Sequence, residues 1–384
     1  MREKPSALAL AACTGDPDPD VNQSSESSSF AIVGGTALVD EDLDPVEDAV
    51  VIVRDGIIAE IRPRSAVAAP DDLERVHAPG LTLLPGFIDT HVHIGLCDPL
   101  DVVTGGVTTV RDLAWPSRLI FPVVERSCTA DFGGPTILAA GPMLTVEGGY
   151  PTRAGWAPPG TGRTVASPDD AHHAVETTAR EGAHVIKVAL NPEVGPVLDR
   201  ATLRAIVEHA HERGLRVTGH VFGLEQLDVA LEAGIDELAH MLMSAERIPD
   251  AVIARMVEQG VVVVPTLSIR FERDRQIAID NTRRFLEAGG RVVYGTDLGN
   301  VGPEPGIDRR EVEAMGEAGM TSEEIVRSAT IAAANWLGLE RIGALAEGRF
   351  ADIVAVSGAP LEDVRALTRV EMVWRRGVLR LPTN

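Results

Sequence analysis

The segment PGFIDTHVHIG, residues 85–95, sets two histidines one residue apart at the end of an apolar run. Side chains at i and i+2 of a β-strand share a face. Asp89, His91 and His93 therefore point one way, and Thr90 and Val92 the other. Three polar groups on one face of a buried strand need a partner, and a metal ion is one candidate. The pattern recurs: Lys187 lies inside AHVIKVAL, His220 closes RVTGH, His240 closes DELAH and Asp297 closes VVYGTD. Four histidines and a carboxylate suit Zn²⁺ or a similar ion. A purely structural role would bury these groups without adequate charge partners, which is expensive. A protonated lysine repels a cation, but the chemistry works if Lys187 is carboxylated by CO₂ to an anionic carbamate, with one oxygen for each of two metals. Asp89 lies deeper on the strand and is expected to orient a ligand histidine.

These residues need a scaffold that brings strand ends together. Strands are expected at 87–93, 108–111, 135–140, 184–189, 216–220, 237–240, 261–265 and 291–297, most of them separated by helical patterns such as SPDDAHHAVETTAREGA and DRATLRAIVEHAHERG. Several helical patterns end in Gly, as a helix C-terminus prefers. Eight strands with intervening helices spell a (β/α)8, TIM-like barrel over 85–339, whose active sites sit at the C-terminal strand ends. Further helices are expected at 309–318 and 322–337. The Gly/Pro-rich stretch 141–168 has no pattern and is a candidate active-site loop.

Outside the barrel, FAIVGGTALVD, DAVVIVRDGIIAEI and GLTLLPG at one end, and GRFADIVAVSG and VEMVWRRGVLRL at the other, are short β-branched runs. Neither end supplies enough strands alone. Together, 30–84 and 340–384 are expected to form one small β-sandwich domain built from both chain termini. The acidic stretch 40–48 is expected to be a solvated turn.

Composition narrows the function. The 384 residues are 45% hydrophobic but only 4% aromatic, so the core is aliphatic. A net charge of −22 argues against nucleic acid and anionic membrane surfaces. No apolar run is long enough to span a bilayer. Three cysteines, Cys13, Cys97 and Cys128, are too few for a disulfide framework. Residues 1–29 begin basic, pass through a short apolar run to LAAC and continue polar and acidic. They are expected to be either a disordered tail on a cytoplasmic protein or a lipoprotein-like leader anchored through Cys13 outside the cytoplasm.

Taken in order, PGFIDTHVHIG, GVTTVRDL, HVIKVAL, GHVFG, Ala239–His240 and Gly295–Asp297 resemble the metal motifs of the amidohydrolase superfamily. The tail SATIAAANWLGLERIGALAEGRFADIVAVSGAPLEDV resembles that superfamily's C-terminal segment, and the resemblance runs from about Ala31 to the end of the chain. It implies two divalent metals, most simply Zn²⁺: His91 and His93 with Asp297 for the more buried one, His220 and His240 for the other, and carboxylated Lys187 between. The nearest likeness is to the branch related to imidazolonepropionase that holds Xaa-Pro and Xaa-Arg dipeptidases. Imidazolonepropionase itself has one metal and no bridging lysine, so Lys187 favours the binuclear members. Two positions depart from the dipeptidase pattern. Tyr150 stands in VEGGYP where a histidine is usual, and Val221–Phe222 are bulky where small residues are usual.

The implied reaction is hydrolysis of a C–N amide bond in a dipeptide, an N-acyl amino acid or a similar small amide, by hydroxide held between the metals. Asp297 would carry the proton, Tyr150 would support the oxyanion, and Phe222 would shape the pocket. Arg111 is a candidate for binding a substrate carboxylate, against an ion pair with Asp112 or another neighbour. The same ligands would serve a lactone, carbamate or cyclic amide, and a non-catalytic metal-binding barrel is the rival of another class. A homo-oligomer is compatible with the sequence.

Overall fold

The computed structural model describes residues 29–381; the expected leader and Cys13 lie outside them. The chain is α/β, with two hydrogen-bonded groups made of parallel strands alone. One contains Phe87–Val92, Val107–Asp112 and Thr136–Ala139. The other runs in the order Gly162–Thr164, Met143–Thr145, Ile186–Leu190, Val217–Val221, Glu237–Leu238, Val262–Val263 and Arg291–Val292. Every pairing within these groups is parallel, as crossover connections require. Parallel strands covered on both faces read as continuous apolar runs; Ile186–Leu190 and Val217–Val221 are buried throughout.

The crossover helices start and stop where local chemistry directs. Ser167 accepts a hydrogen bond from the Asp170 amide at the head of Pro168–Arg180, and Asp199 accepts one from Thr202 at the head of Arg200–Glu212. Both helices bury one apolar side, including Ala171 and Val175 in the first and Leu203, Ile206 and Val207 in the second. The main core is a continuous aliphatic cluster from strands and helices alike, as the low aromatic content requires.

The two chain ends form two further sheets. Ile57–Pro63, Ala49–Arg54, Phe30–Val33 and Glu74–His77 make the first. Val378–Leu381, Val370–Arg375, Ile353–Ser357, Leu81–Pro85, Thr36–Val39 and Asp44–Glu47 make the second. In the second, Leu81–Pro85 pairs antiparallel with Ile353–Ser357, Leu83 opposite Ala355. Ile32, Val51 and Val53 of the first sheet share one apolar cluster with Leu83, Ile353, Ala355 and Trp374 of the second. The Phe30 and Trp374 rings stack there at 5.7 Å.

Three local expectations need correction. The acidic stretch 40–48 is not only a turn: Asp44–Glu47 pairs with Thr36–Val39 as the outermost strand, and its exposed acidic side chains discourage further strand addition. The stretch 141–168 is not patternless, because Met143–Thr145 and Gly162–Thr164 pair within it. Its strands are three residues long, too short to show an alternation. Finally, 322–337 is not one helix. Thr330 leaves helical geometry (φ −128°, ψ −101°) and separates Ser322–Ser328 from Ile331–Leu337.

Candidate metal centre

His91 and His93 end Phe87–Val92 and the residue after it, both buried. Opposite them stands Asp297, brought close by the local sequence Gly295-Thr296-Asp297. A Cβ on Gly295 would lie 2.4 Å from the Val264 side chain and 3.0 Å from the His91 amide nitrogen, so a larger residue would force Val264 or the main chain to shift. Thr296 is fastened to Asp89, whose Oδ2 accepts from the Thr296 hydroxyl at 2.6 Å. Asp89 Oδ1 accepts from the Thr296 and His91 amides. Asp89 thus grips main chain on both sides of the centre. It touches the backbone of His91 rather than its ring, which corrects the expectation that it orients an imidazole. Burial pushes its carboxyl up to about 7. Asp297 takes a left-handed backbone (φ 61°), a strained conformation for a non-glycine residue, held by its amide donating to the His91 carbonyl at 2.8 Å.

The Nε2 atoms of His91 and His93 each lie 3.2 Å from Asp297 Oδ1. One ligand atom from each residue falls within 4.8 Å of the others, a group able to hold a metal ion. His91 Nδ1 faces the Ala239 carbonyl at 2.8 Å, and a proton there leaves Nε2 as the inward lone pair. Burial and the Lys187 charge hold His91 well below the usual imidazole range. Burial also opposes charge on His93, but the adjacent Asp297 outweighs it and raises that ring.

A second pair of nitrogens converges beside this group. His220 ends the strand before Val221, and His240 follows Glu237–Leu238. His220 Nδ1 and His240 Nε2 face each other at 3.0 Å. The outer nitrogens are held: His240 Nδ1 lies 2.9 Å from the Thr266 hydroxyl, and His220 Nε2 lies 3.3 Å from Asn191 Nδ2. Burial and neighbouring charges keep both rings well below the usual range, which suits metal ligands, since these must be neutral. Lys187, on Ile186–Leu190, is fully buried and its Nζ has no hydrogen-bond partner. Burial lowers it to about 7, against the opposing pull of Asp297 and Glu237.

Two aromatic side chains of the 141–168 stretch cover the centre. The Tyr150 ring stacks on His220 at 4.9 Å, and Trp156 lies 4.9 Å from His93. Tyr150 hydrogen-bonds Trp156, and burial with the Asp297 charge raises its phenol. Phe222 is half-buried at the first position after the strand bearing His220.

Arg111 requires correction. It is buried, donating from Nη2 to Glu237 Oε1 at 2.6 Å and from Nε to the Thr90 carbonyl at 2.7 Å. Its guanidinium is committed to these buried partners, so it does not serve a substrate carboxylate. The ion pair weighed against that role is what forms, with Glu237 in place of Asp112. The sequence reading also missed Asn191, Trp156, Thr266 and Arg270. Asn191 was within reach, because Lys187, Ala189 and Asn191 alternate onto one strand face. The other three lie on loops, where no periodicity marks direction.

Comparison with known proteins adds four findings. Residues 82–380 match the model of the amidohydrolase family. The chain is 25% identical over 440 residues to ochratoxinase of Aspergillus niger, covering 94% of this chain and 88% of that one. It is 30% identical over 333 residues to an uncharacterised protein of Mycobacterium tuberculosis, covering 77% and 84% respectively. In structure it resembles a Xaa-Pro dipeptidase with bound methionine in the active site, with a TM-score of 0.76 at 24% identity, over 91% of this chain and 99% of that one. The fold shared with such proteins is a TIM-like barrel.

Proposed function

The chain belongs to the amidohydrolase family and is a hydrolase of carbon–nitrogen bonds; from that premise we propose that it cleaves the amide bond of a dipeptide or N-acyl amino acid at a binuclear metal centre. The observation that carries the reading is the convergence of His91, His93, His220, His240, Lys187 and Asp297, with three buried polar atoms among them unsatisfied: His91 Nε2, Lys187 Nζ and Asp297 Oδ1. Orphaned buried polar atoms are expensive unless a ligand satisfies them. Neutral imidazoles and a carboxylate are the donor set that Zn²⁺ prefers.

His91, His93 and Asp297 would hold one ion, His220 and His240 the other, and Lys187 would bridge them as a carbamate. The amine lowered to about 7 is substantially uncharged near neutrality. An uncharged amine adds to CO₂, forming an N–C bond and releasing one proton. When bound, the ions would supply a water of lowered pKa and polarise the scissile carbonyl. Asp297 would take a proton from the attacking water and return it to the leaving amine. Tyr150 stays protonated and can donate to the oxygen that gains charge. The Trp156 indole N–H can only donate, so it occupies an acceptor site on Tyr150 and leaves the phenol proton free.

We also read the parallel strands as one closed barrel and the terminal sheets as a sandwich. Barrel closure is supported by hydrogen bonds from Thr90 to Tyr294 at 3.1 Å and from His184 to Ala139 at 2.9 Å, which tie both edge strands of the three-stranded group to the other group. The shared apolar cluster of the terminal sheets supports the sandwich.

The test is metal analysis together with a panel of N-acyl amino acids, Xaa-Pro and Xaa-Arg dipeptides, lactones and carbamates. Two divalent ions per chain and metal-dependent turnover of an amide are expected. A chain that binds no metal, or that opens lactones and leaves every amide intact, refutes the proposal.

A further inference from the structure

Arg270 ends the short turn Leu267–Ile269, four residues after Thr266, and is 6% exposed. Its Nη1 donates to the Met243 carbonyl at 2.8 Å; its Nη2 donates to the Leu242 carbonyl at 2.9 Å and the Met241 carbonyl at 3.3 Å. Met241 directly follows His240, so the guanidinium sits beside the candidate centre. Its Nε–H is buried with no partner.

Three carbonyls satisfy donors but carry no net charge, and a buried cation needs a counter-charge. Asp297, Asp274 and Glu311 are the acidic groups whose charge reaches Arg270, but none forms an ion pair with it among the described residues. Glu311 is pushed up to about 8 by burial and is largely neutral near pH 7. A second cation stands close: Arg310 Nη2 donates to the Arg270 carbonyl at 3.3 Å, and its guanidinium lies over the exposed Phe271 ring at 5.0 Å.

We propose that Arg270 anchors a free carboxylate of the substrate, so that the scissile amide is that of an amino acid with its carboxylate exposed, rather than a neutral amide, carbamate or lactone. This rests on the amide-hydrolase reading above. In such a substrate the carboxylate is two covalent bonds from the amide nitrogen, so both reach the same mouth. The unpartnered Nε–H supplies the donor that a carboxylate accepts, in a charge-assisted hydrogen bond.

The experiment uses the metal-loaded enzyme and matched pairs, each N-acyl amino acid or dipeptide set against its C-terminal carboxamide. The acid is expected to exceed the carboxamide in kcat/KM by on the order of 10²-fold or more. Arg270→Gln is expected to collapse that ratio, chiefly through KM for the acid, and Arg270→Lys to restore part of it. An acid-to-carboxamide ratio near one in the unaltered enzyme overturns the anchor, as does a ratio that survives Arg270→Gln. Should that variant fail to fold, inhibition of the unaltered enzyme decides. A free amino acid should inhibit at least about tenfold more strongly than its amide, and equal inhibition overturns the proposal. If lactones are opened and no amide of either form is cleaved, the amide reading has failed; the same inhibition pair still tests the anchor.

Discussion

The Nδ1 atom of His240 lies 2.9 Å from the Thr266 hydroxyl, and this contact turns the opposite nitrogen toward His220. Such outer contacts set ring orientation and tautomer, and their loss typically costs 10–100-fold in metal affinity. Thr266→Val keeps the shape and branching but removes the oxygen. The ion proposed for His220 and His240 should then be lost about 10–100-fold more readily in competition with a chelator, while Thr266→Ser should hold it. Equal retention in the Val variant would remove Thr266 from the centre.

If Lys187 bridges two ions as proposed, Lys187→Ala should lower metal content and reduce turnover by at least about 10³-fold, because the two half-sites would lose their shared anion. The truncation leaves space beside the centre, so a small carboxylate such as acetate or propionate should recover part of both metal binding and rate. Metal content by elemental analysis, with and without the added acid, is the readout. Unchanged metal and rate would dissolve the bridge.

Tyr150→Phe should lower kcat by roughly 10²–10³-fold with metal content preserved, the cost of losing one oxyanion donor. Trp156→Phe should fall between that variant and the unaltered enzyme, since Tyr150 remains but loses the indole that orients it. A Tyr150→Phe enzyme with unaltered kcat would leave the phenol no part in the reaction.

Glu311 offers a test outside the centre. Burial raises its pKa from 4.5 to about 8 in the folded chain. Between those values the folded state binds more protons than the unfolded state, so this group makes stability fall as pH rises through that window. Glu311→Gln mimics the protonated form and can still accept from the Ser268 amide, which Glu311 now meets at 2.7 Å. The variant's Tm advantage over the unaltered protein should grow from pH 5 to pH 8 and then level off. A Tm difference that is flat across this range would show that Glu311 does not titrate there.

Sequence alone revealed much of the centre because its residues obey strand alternation. His91 and His93 share a face, whereas Asn191, on the same strand face as Lys187, was passed over although the same alternation reaches it. It failed at Arg111 for a reason of range: the partner Glu237 is 126 residues away, and nothing local distinguishes a guanidinium turned into the barrel from one facing the mouth. It failed at Arg270 and Thr266 because loop residues carry no period from which direction can be read. Asp89 shows a third kind of miss. Its oxygens accept from the amides of His91 and Thr296, and bonds to main-chain donors leave no trace in side-chain patterning.

The pairing of Leu81–Pro85 with Ile353–Ser357 reaches beyond architecture. The Thr82 hydroxyl donates to the Gly358 carbonyl at 2.7 Å across 276 residues of chain. During synthesis, the early strand must therefore wait, its edge unpaired, until nearly the whole polypeptide has left the ribosome. Such late, long-range closure is slow and leaves nascent chains open to aggregation. Transcripts that stop short of residue 353 should yield chains that depend on chaperones or are degraded, however complete their catalytic residues.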